Sequence, residues 1–238
     1  MVFRFPISFF SIVFGLLCCI VSFIDLSYSN LTANYVEKRP IPILIIDPGH
    51  GGDDGGAVGE DGVRESDINL AISLQLKSLC QLYGVKSLMT RESDVINYPT
   101  DALTVRERKI ADQKMRLRLI QDYPDGILYS IHQNFYPSRL PSGVQVLYGH
   151  NDSSREIGTM LHDNLTNILC PQSRRVATEI DDTIFLLKHC NCPAVLIECG
   201  FLSNPSEAAL LQNESYQKKI SAILLSSYLE YFTLNRNE

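Results

Sequence analysis

This chain of 238 residues has no basic stripe. Its 21 Lys and Arg are scattered among 27 Asp and Glu, for a net charge of −6. That balance argues against a nucleic-acid partner. A disulfide framework is missing too. Cys18 and Cys19 lie in an apolar N-terminal stretch, which leaves Cys80, Cys170, Cys190, Cys192 and Cys199. Their number is odd, and their spacing lends no support to a Cys170–Cys190 bridge. Cys190-Asn-Cys192 also lacks the two-residue gap of a zinc knuckle, so these are read as packing thiols. No Gly-x-Gly-x-x-Gly stands where a dinucleotide loop needs it. Internal repeats and low-complexity tracts are absent, and no second domain is expected after the last helix. With 45% hydrophobic residues, the chain can build one good-sized core.

Phe5 to Ile24 is an uncharged apolar run between Arg4 and Asp25. Its length falls between a signal-peptide core and a membrane-spanning helix. Residues 1–29 are therefore read as a signal peptide or an N-terminal membrane anchor, with small residues placed for cleavage after Ser29. Either reading sends the rest of the chain out of the cytoplasm. Residues 30–40 are a polar linker, and 41–235 form the folded domain.

Within that domain, Ile41–Ile46 is a continuous apolar run, as in a strand buried on both faces. Ile68, Ile72, Leu76 and Leu79 then recur at helical spacing. "VKSLM" (85–89) reads as a second strand. Thr104 and Glu107 make a capping box that opens a helix to about Gln121. "GILYSI" (126–131) and "GVQVLY" (143–148) are the next strands. Ile157, Leu161, Leu165 and Ile168 mark another helix. "TIFLL" (183–187) and "AVLIE" (194–198) read as the last two strands. Asn204-Pro205 opens a helix, and a final one covers roughly 215–232. The alternation predicts a single α/β domain: a mainly parallel sheet of about six strands, with helices on both faces.

Ligands of open α/β sheets bind beyond the carboxyl ends of the strands. After the first strand stand Asp47, His50 and a Gly-rich loop, with Glu65 just before the next helix. The third strand leads into His132 and Asn134, and the last ends in Glu198. Two imidazoles and a carboxylate can form a catalytic zinc set with one position open. A second, unligated carboxylate can carry the proton. Gly49, Gly51 and Gly52 let the backbone turn tightly. Each residue also has a plainer role: a strand-end His satisfied by packing, "GHGG" as a turn, Glu198 as a loop cap. The separations form no compact motif, so spacing alone leaves both readings open. His150, His162 and His189 are read as structural or solvated, and Cys199 as a packing residue.

"IDPGHGG" (46–52), "SIHQN" (130–134) and "AVLIECGFLSNPSEA" (194–208) occur in an order that resembles the zinc-dependent N-acetylmuramoyl-L-alanine amidases of the AmiC type. The resemblance covers nearly all of 41–234. It implies a mixed, mostly parallel sheet, one Zn²⁺ on His50, Glu65 and His132, and Glu198 as the catalytic carboxylate. Asn134 is a candidate for holding substrate. The implied reaction is hydrolysis of the amide between the lactyl group of muramic acid and L-alanine in peptidoglycan. "TRESD" and "LLK…PAVLIECGFLSNP" look most like the short sporulation and germination-specific cortex amidases, which carry an N-terminal membrane segment. That layer implies spore-cortex maturation outside the cytoplasmic membrane of a bacterium. It also implies a deacetylase that completes muramic-δ-lactam and a protein activator as partners. Phe135 and Tyr136 depart from the small residue usual after "SIHQN", which implies a narrower cleft or stacking on the sugar. No insertion of the kind that plugs some division amidases is seen. The rival readings are a zinc peptidase cutting within the stem peptide and a catalytically silent peptidoglycan-binding protein.

Overall fold

The computed structural model describes residues 41–234. The apolar run 5–24 and the linker 30–40 lie outside the described residues. Among those described, no helix is long and apolar enough to cross a membrane.

Strand β1 (Leu44–Pro48) is buried at every position. It pairs in parallel with β2 (Ser87–Met89) on one side and with β3 (Ile127–Asn134) on the other. Beyond β3 lies β6 (Ala194–Phe201), also parallel. β4 (Gln145–Tyr148) runs antiparallel to β6, and β5 (Thr178–Glu179) pairs in parallel with β4. The six-stranded sheet thus has the order β2-β1-β3-β6-β4-β5 and is mixed, with four parallel strands together. Continuous apolar runs suit those central strands because both faces are covered.

Alternation along the strands separates two cores. Leu44, Ile46, Tyr129, Ile131, Val195 and Ile197 face the larger one. There they meet Ile68, Ile72 and Leu76 of α1 (Glu65–Leu82), Ile157 and Leu161 of α3 (Asp152–Leu169), and Ile220 and Leu224 of α6 (Glu214–Leu234). The short α5 (Pro205–Leu211) adds Ala208 and Leu211. Ile45, Leu128, Ala194 and Leu196 face the smaller core, with Ile120 of α2 (Val105–Gln121) and Leu187 of α4 (Phe185–His189). Each such aliphatic side chain contributes about 1.5–3 kcal/mol on burial. Cys80, Cys192 and Cys199 are buried thiols, Cys170 and Cys190 are half-buried, and all five are free.

The expected strand at Thr183–Leu187 is instead α4, which begins at Phe185. The Thr183 amide donates to Asp181 Oδ1 at 2.8 Å and turns the chain. Leu187 then packs into the smaller core from a short helix. A short apolar run does not distinguish these outcomes by itself. The sixth strand is β5, whose two residues are exposed and carry no apolar signal. β3 and β6 also run further than the apolar pattern suggests, so His132 and Glu198 sit within strands.

One polar knot interrupts the smaller core. Asp47 is 1% exposed and lies on the α2 side of β1. It accepts from Thr90 Oγ1 (2.6 Å), Ser130 Oγ (2.6 Å) and Arg116 Nη1 (2.9 Å). Arg116, on α2, also donates to Asp112 one turn earlier, at 2.9 Å. Burial raises the Asp47 carboxyl, but the Arg116 charge and the bonds from Ser130 and Thr90 outweigh it and hold it below its ordinary value. Its stabilising share is therefore complete above about pH 4 and is lost as pH falls through the depressed value. Asp47→Asn should cost about 3–5 kcal/mol at pH 7, because Arg116 loses the more deeply buried of its two carboxylate partners. Urea unfolding across pH should show that gap narrowing in acid. At the other end of α2, the capping box forms, with Glu107 N donating to Thr104 Oγ1 and Thr104 N to Glu107 Oε2. Thr104→Ala should cost about 1 kcal/mol by the same assay.

Candidate metal centre

Because β1, β3 and β6 are parallel, their carboxyl ends share one edge of the sheet. The chain leaves β1 and reaches His50 two residues later. β3 carries His132, and β6 carries Glu198 as its register partner. Glu65 arrives by another route, as the first residue of α1. A carboxylate at a helix N-terminus is favoured by the helix dipole.

These groups meet. Glu65 Oε1 lies 3.0 Å from His132 Nδ1 and 3.4 Å from His50 Nε2. The two rings stand edge to face with centroids 5.0 Å apart. One ligand atom each from His50, Glu65 and His132 falls within 4.8 Å of the others. The carboxylate is held from behind. Oε1 accepts from Gln133 N (3.1 Å) and Asn69 Nδ2 (3.2 Å), and Oε2 accepts from Ala57 N (2.9 Å). His50 Nδ1 lies 2.9 Å from Asp54 Oδ2, and Lys109 Nζ lies 2.9 Å from that same oxygen. A carboxylate on one ring nitrogen sets the orientation in which the other meets a metal.

Burial lowers the His50 imidazole, but hydrogen bonds and charge from Asp54 and Glu65 more than reverse that and push it up to about 9. Burial raises Glu65, yet the bonds from His132 and His50 hold it well below the carboxylate range. Glu198 behaves in the opposite way. Burial pushes its carboxyl up to about 7 against the pull of His132, and Glu65 adds to the rise. Its Oε2 is shielded from solvent and has no hydrogen-bond partner among the described residues. Two imidazoles, one ionised carboxylate and an orphaned carboxylate oxygen beside them fit a zinc ion with an open position.

The loop geometry explains its glycines. Gly51 (φ 128°) and Gly52 (φ 58°) turn the chain as expected. Gly49 is required for a different reason: a Cβ there would stand 2.3 Å from His132 Cε1. His50 itself has φ 59°, a left-handed conformation that costs about 1–3 kcal/mol in a non-glycine residue and persists only where the surroundings enforce it.

The structure brings His50, Glu65, His132 and Glu198 to one edge, as the sequence reading expects. Asn134 lies just past a register irregularity in β3, half-buried, with Nδ2 donating to Gln145 Oε1 at 3.2 Å. Phe135 and Tyr136 follow it and are exposed. His150 pairs with Glu179 on the surface, His162 is buried in α3, and His189 lies 2.8 Å from Phe185 O within α4. Cys199 is buried, and burial pushes its thiol up to about 12, which suits packing. The sequence reading does not single out Asp54 and Asn69, although each stands four residues after a candidate ligand, one turn along in the case of Asn69.

Comparison with known proteins places the chain in a family. The family model described as Amidase_3, N-acetylmuramoyl-L-alanine amidase, matches residues 44–226. The chain is 38% identical over 192 residues to the germination-specific N-acetylmuramoyl-L-alanine amidase of Bacillus subtilis, covering 80% of each protein. It is similar to the CwlD amidase of Clostridioides difficile, solved in complex with the GerS lipoprotein, at 35% identity and TM-score 0.77, covering 81% of this chain and 99% of that one. An N-acetylmuramoyl-L-alanine amidase from Clostridium difficile 630 matches at 26% identity and TM-score 0.68, over 81% and 97% of the two chains. With a match across most of its length and a relative at this level of identity, the chain belongs to the N-acetylmuramoyl-L-alanine amidase family.

Proposed function

We propose that this chain cleaves the amide between the lactyl group of N-acetylmuramic acid and L-alanine in peptidoglycan, with one Zn²⁺ held by His50, Glu65 and His132 and with Glu198 as proton carrier. Membership of the family makes it a peptidoglycan hydrolase acting on an amide bond. The observation that carries the residue assignment is the convergence of the three donors beside the orphaned Glu198 oxygen.

When bound, the metal supplies a Lewis acid for the scissile carbonyl and acidifies water. The chain supplies orientation and proton transfer. Asp54 orients the His50 ring, and Asn69 and the Ala57 and Gln133 amides orient Glu65. Glu198 Oε2 has no competing donor among the described residues, so it is available to the attacking water. It accepts that proton and returns it to the departing amine of L-alanine. Asn134, on the same edge, is the proposed contact to substrate.

The setting is a further part of the proposal. The Bacillus subtilis relative is named germination-specific, and the Clostridioides difficile one was solved with a lipoprotein. By analogy this chain acts outside the cytoplasmic membrane in spore-cortex maturation. A protein activator and a deacetylase that completes muramic-δ-lactam serve the same pathway there, and residues 1–29 act as leader or anchor.

Digestion of purified peptidoglycan, followed by mass spectrometry, tests the bond. Intact stem peptides with a free L-alanine amine are expected. Peptides cut internally would indicate a peptidase, and binding without release a silent wall-binding protein. Glu198→Ala should lower turnover by about 10²–10⁴-fold while zinc remains bound one to one. Turnover at the parent rate would remove Glu198 from the mechanism. Gly49→Ala should displace the His132 ring and weaken zinc binding by about 10–100-fold, measured by chelator competition.

A further inference from the structure

The backbone that presents His50 is held from outside its own loop. Three successive carbonyls, those of Pro48, Gly49 and His50, accept from buried guanidinium groups. Arg116 Nη1 donates to Pro48 O at 2.6 Å, and Arg116 Nη2 to His50 O at 2.6 Å. Arg91 Nε donates to Pro48 O at 3.0 Å and its Nη2 to Gly49 O at 3.1 Å. Arg116 is 5% exposed and is braced on both sides, by Asp47 (2.9 Å) and by Asp112 (2.9 Å). None of its hydrogen bonds goes to a side chain of the metal centre.

Position and conformation make this contact more than a core ion pair. His50 is left-handed, with φ 59°. In that conformation the direction of the carbonyl and the direction of the ring are set together by one short stretch of backbone. Releasing the carbonyl frees the residue to relax toward the broader allowed regions, and the ring swings with it. A planar fork with several fixed donors reaches two carboxylates and two carbonyls at once, and a single ammonium does not.

We propose that Arg116 is a positioning residue of the metal centre: braced by Asp47 and Asp112, it clamps the Pro48 and His50 carbonyls and so aims the His50 imidazole for ion capture. This rests on the reading of His50 as a ligand. Arg116→Lys keeps the charge that Asp47 and Asp112 require and removes the fork.

The test uses the full chain stripped of metal, with zinc affinity from chelator competition, the visible spectrum after Co²⁺ loading, and thermal melting without metal. The folded Arg116→Lys variant should bind zinc about 10–100-fold more weakly than the parent, with a shifted Co²⁺ spectrum. Lower melting combined with parental zinc affinity and a parental Co²⁺ spectrum would reduce Arg116 to a core ion pair and overturn the proposal. If Arg116→Lys does not fold, Asp112→Asn decides, since it removes one brace and leaves the fork. A several-fold loss of zinc affinity supports the clamp, and unchanged affinity overturns it. His132→Ala serves as the separate check on the ligand set. If it binds zinc as tightly as the parent, or if the parent binds none, the ligand reading fails and the clamp fails with it.

Discussion

A carboxylate taken out of water is costly unless its lone pairs are used, and Glu65 shows how this fold meets that demand. Its two oxygens face two imidazoles, two backbone amides and the Asn69 side chain. Those partners come from β3, from the loop after β1 and from α1, so the carboxylate can be satisfied only when the sheet, the loop and the helix are all in place. Placing Glu65 at the first turn of α1 rather than in mid-loop adds the helix dipole to the same end. The loop between β1 and α1 therefore has a fixed path, although it is rich in glycine.

That path carries its own strain. His50 is left-handed, Gly49 lies under the His132 ring, and a Cβ at Gly56 would stand 2.5 Å from Glu65 Oε2. Such a conformation persists only where its surroundings over-determine it. Arg91 and Arg116 supply much of that constraint through carbonyls, and Asp54 supplies it through the ring. Glu198 is the counterexample in the same cleft. Among the described residues its Oε2 has no hydrogen-bond partner, and burial raises its proton affinity. One acid is satisfied and its carboxyl is held below the ordinary range, while the other lacks a partner at one oxygen and its carboxyl is pushed up. Pushing two nearby carboxyl groups apart in this way is how a single site assigns them different roles.

Much of this was legible in the sequence. Continuous apolar runs located β1, β3 and β6, and the rule that ligands sit at strand carboxyl ends then gathered His50, His132 and Glu198. Helical spacing after Ser66 placed α1 and so Glu65 beside them. What stayed hidden has physical causes. Asp54 was one acid among several in a Gly-rich loop, and only the fold distinguishes it from its solvated neighbours. The Arg116–Asp47 pair joins residues 69 apart in sequence, and no local pattern announces it. The apolar run at α4 suits a strand as well as a helix, and β5 carries no apolar residue to give it away.

The proposed metal centre draws its three ligands, His50, Glu65 and His132, from three separate parts of the chain. Crystals of the zinc-loaded protein, with diffraction recorded on both sides of the zinc absorption edge, test that directly. A single anomalous peak is predicted, bounded by the imidazoles of His50 and His132 and the carboxylate of Glu65, with Glu198 beside it and outside bonding distance. A peak at any other cluster, or one in which Glu198 replaces Glu65 as a ligand, would contradict it.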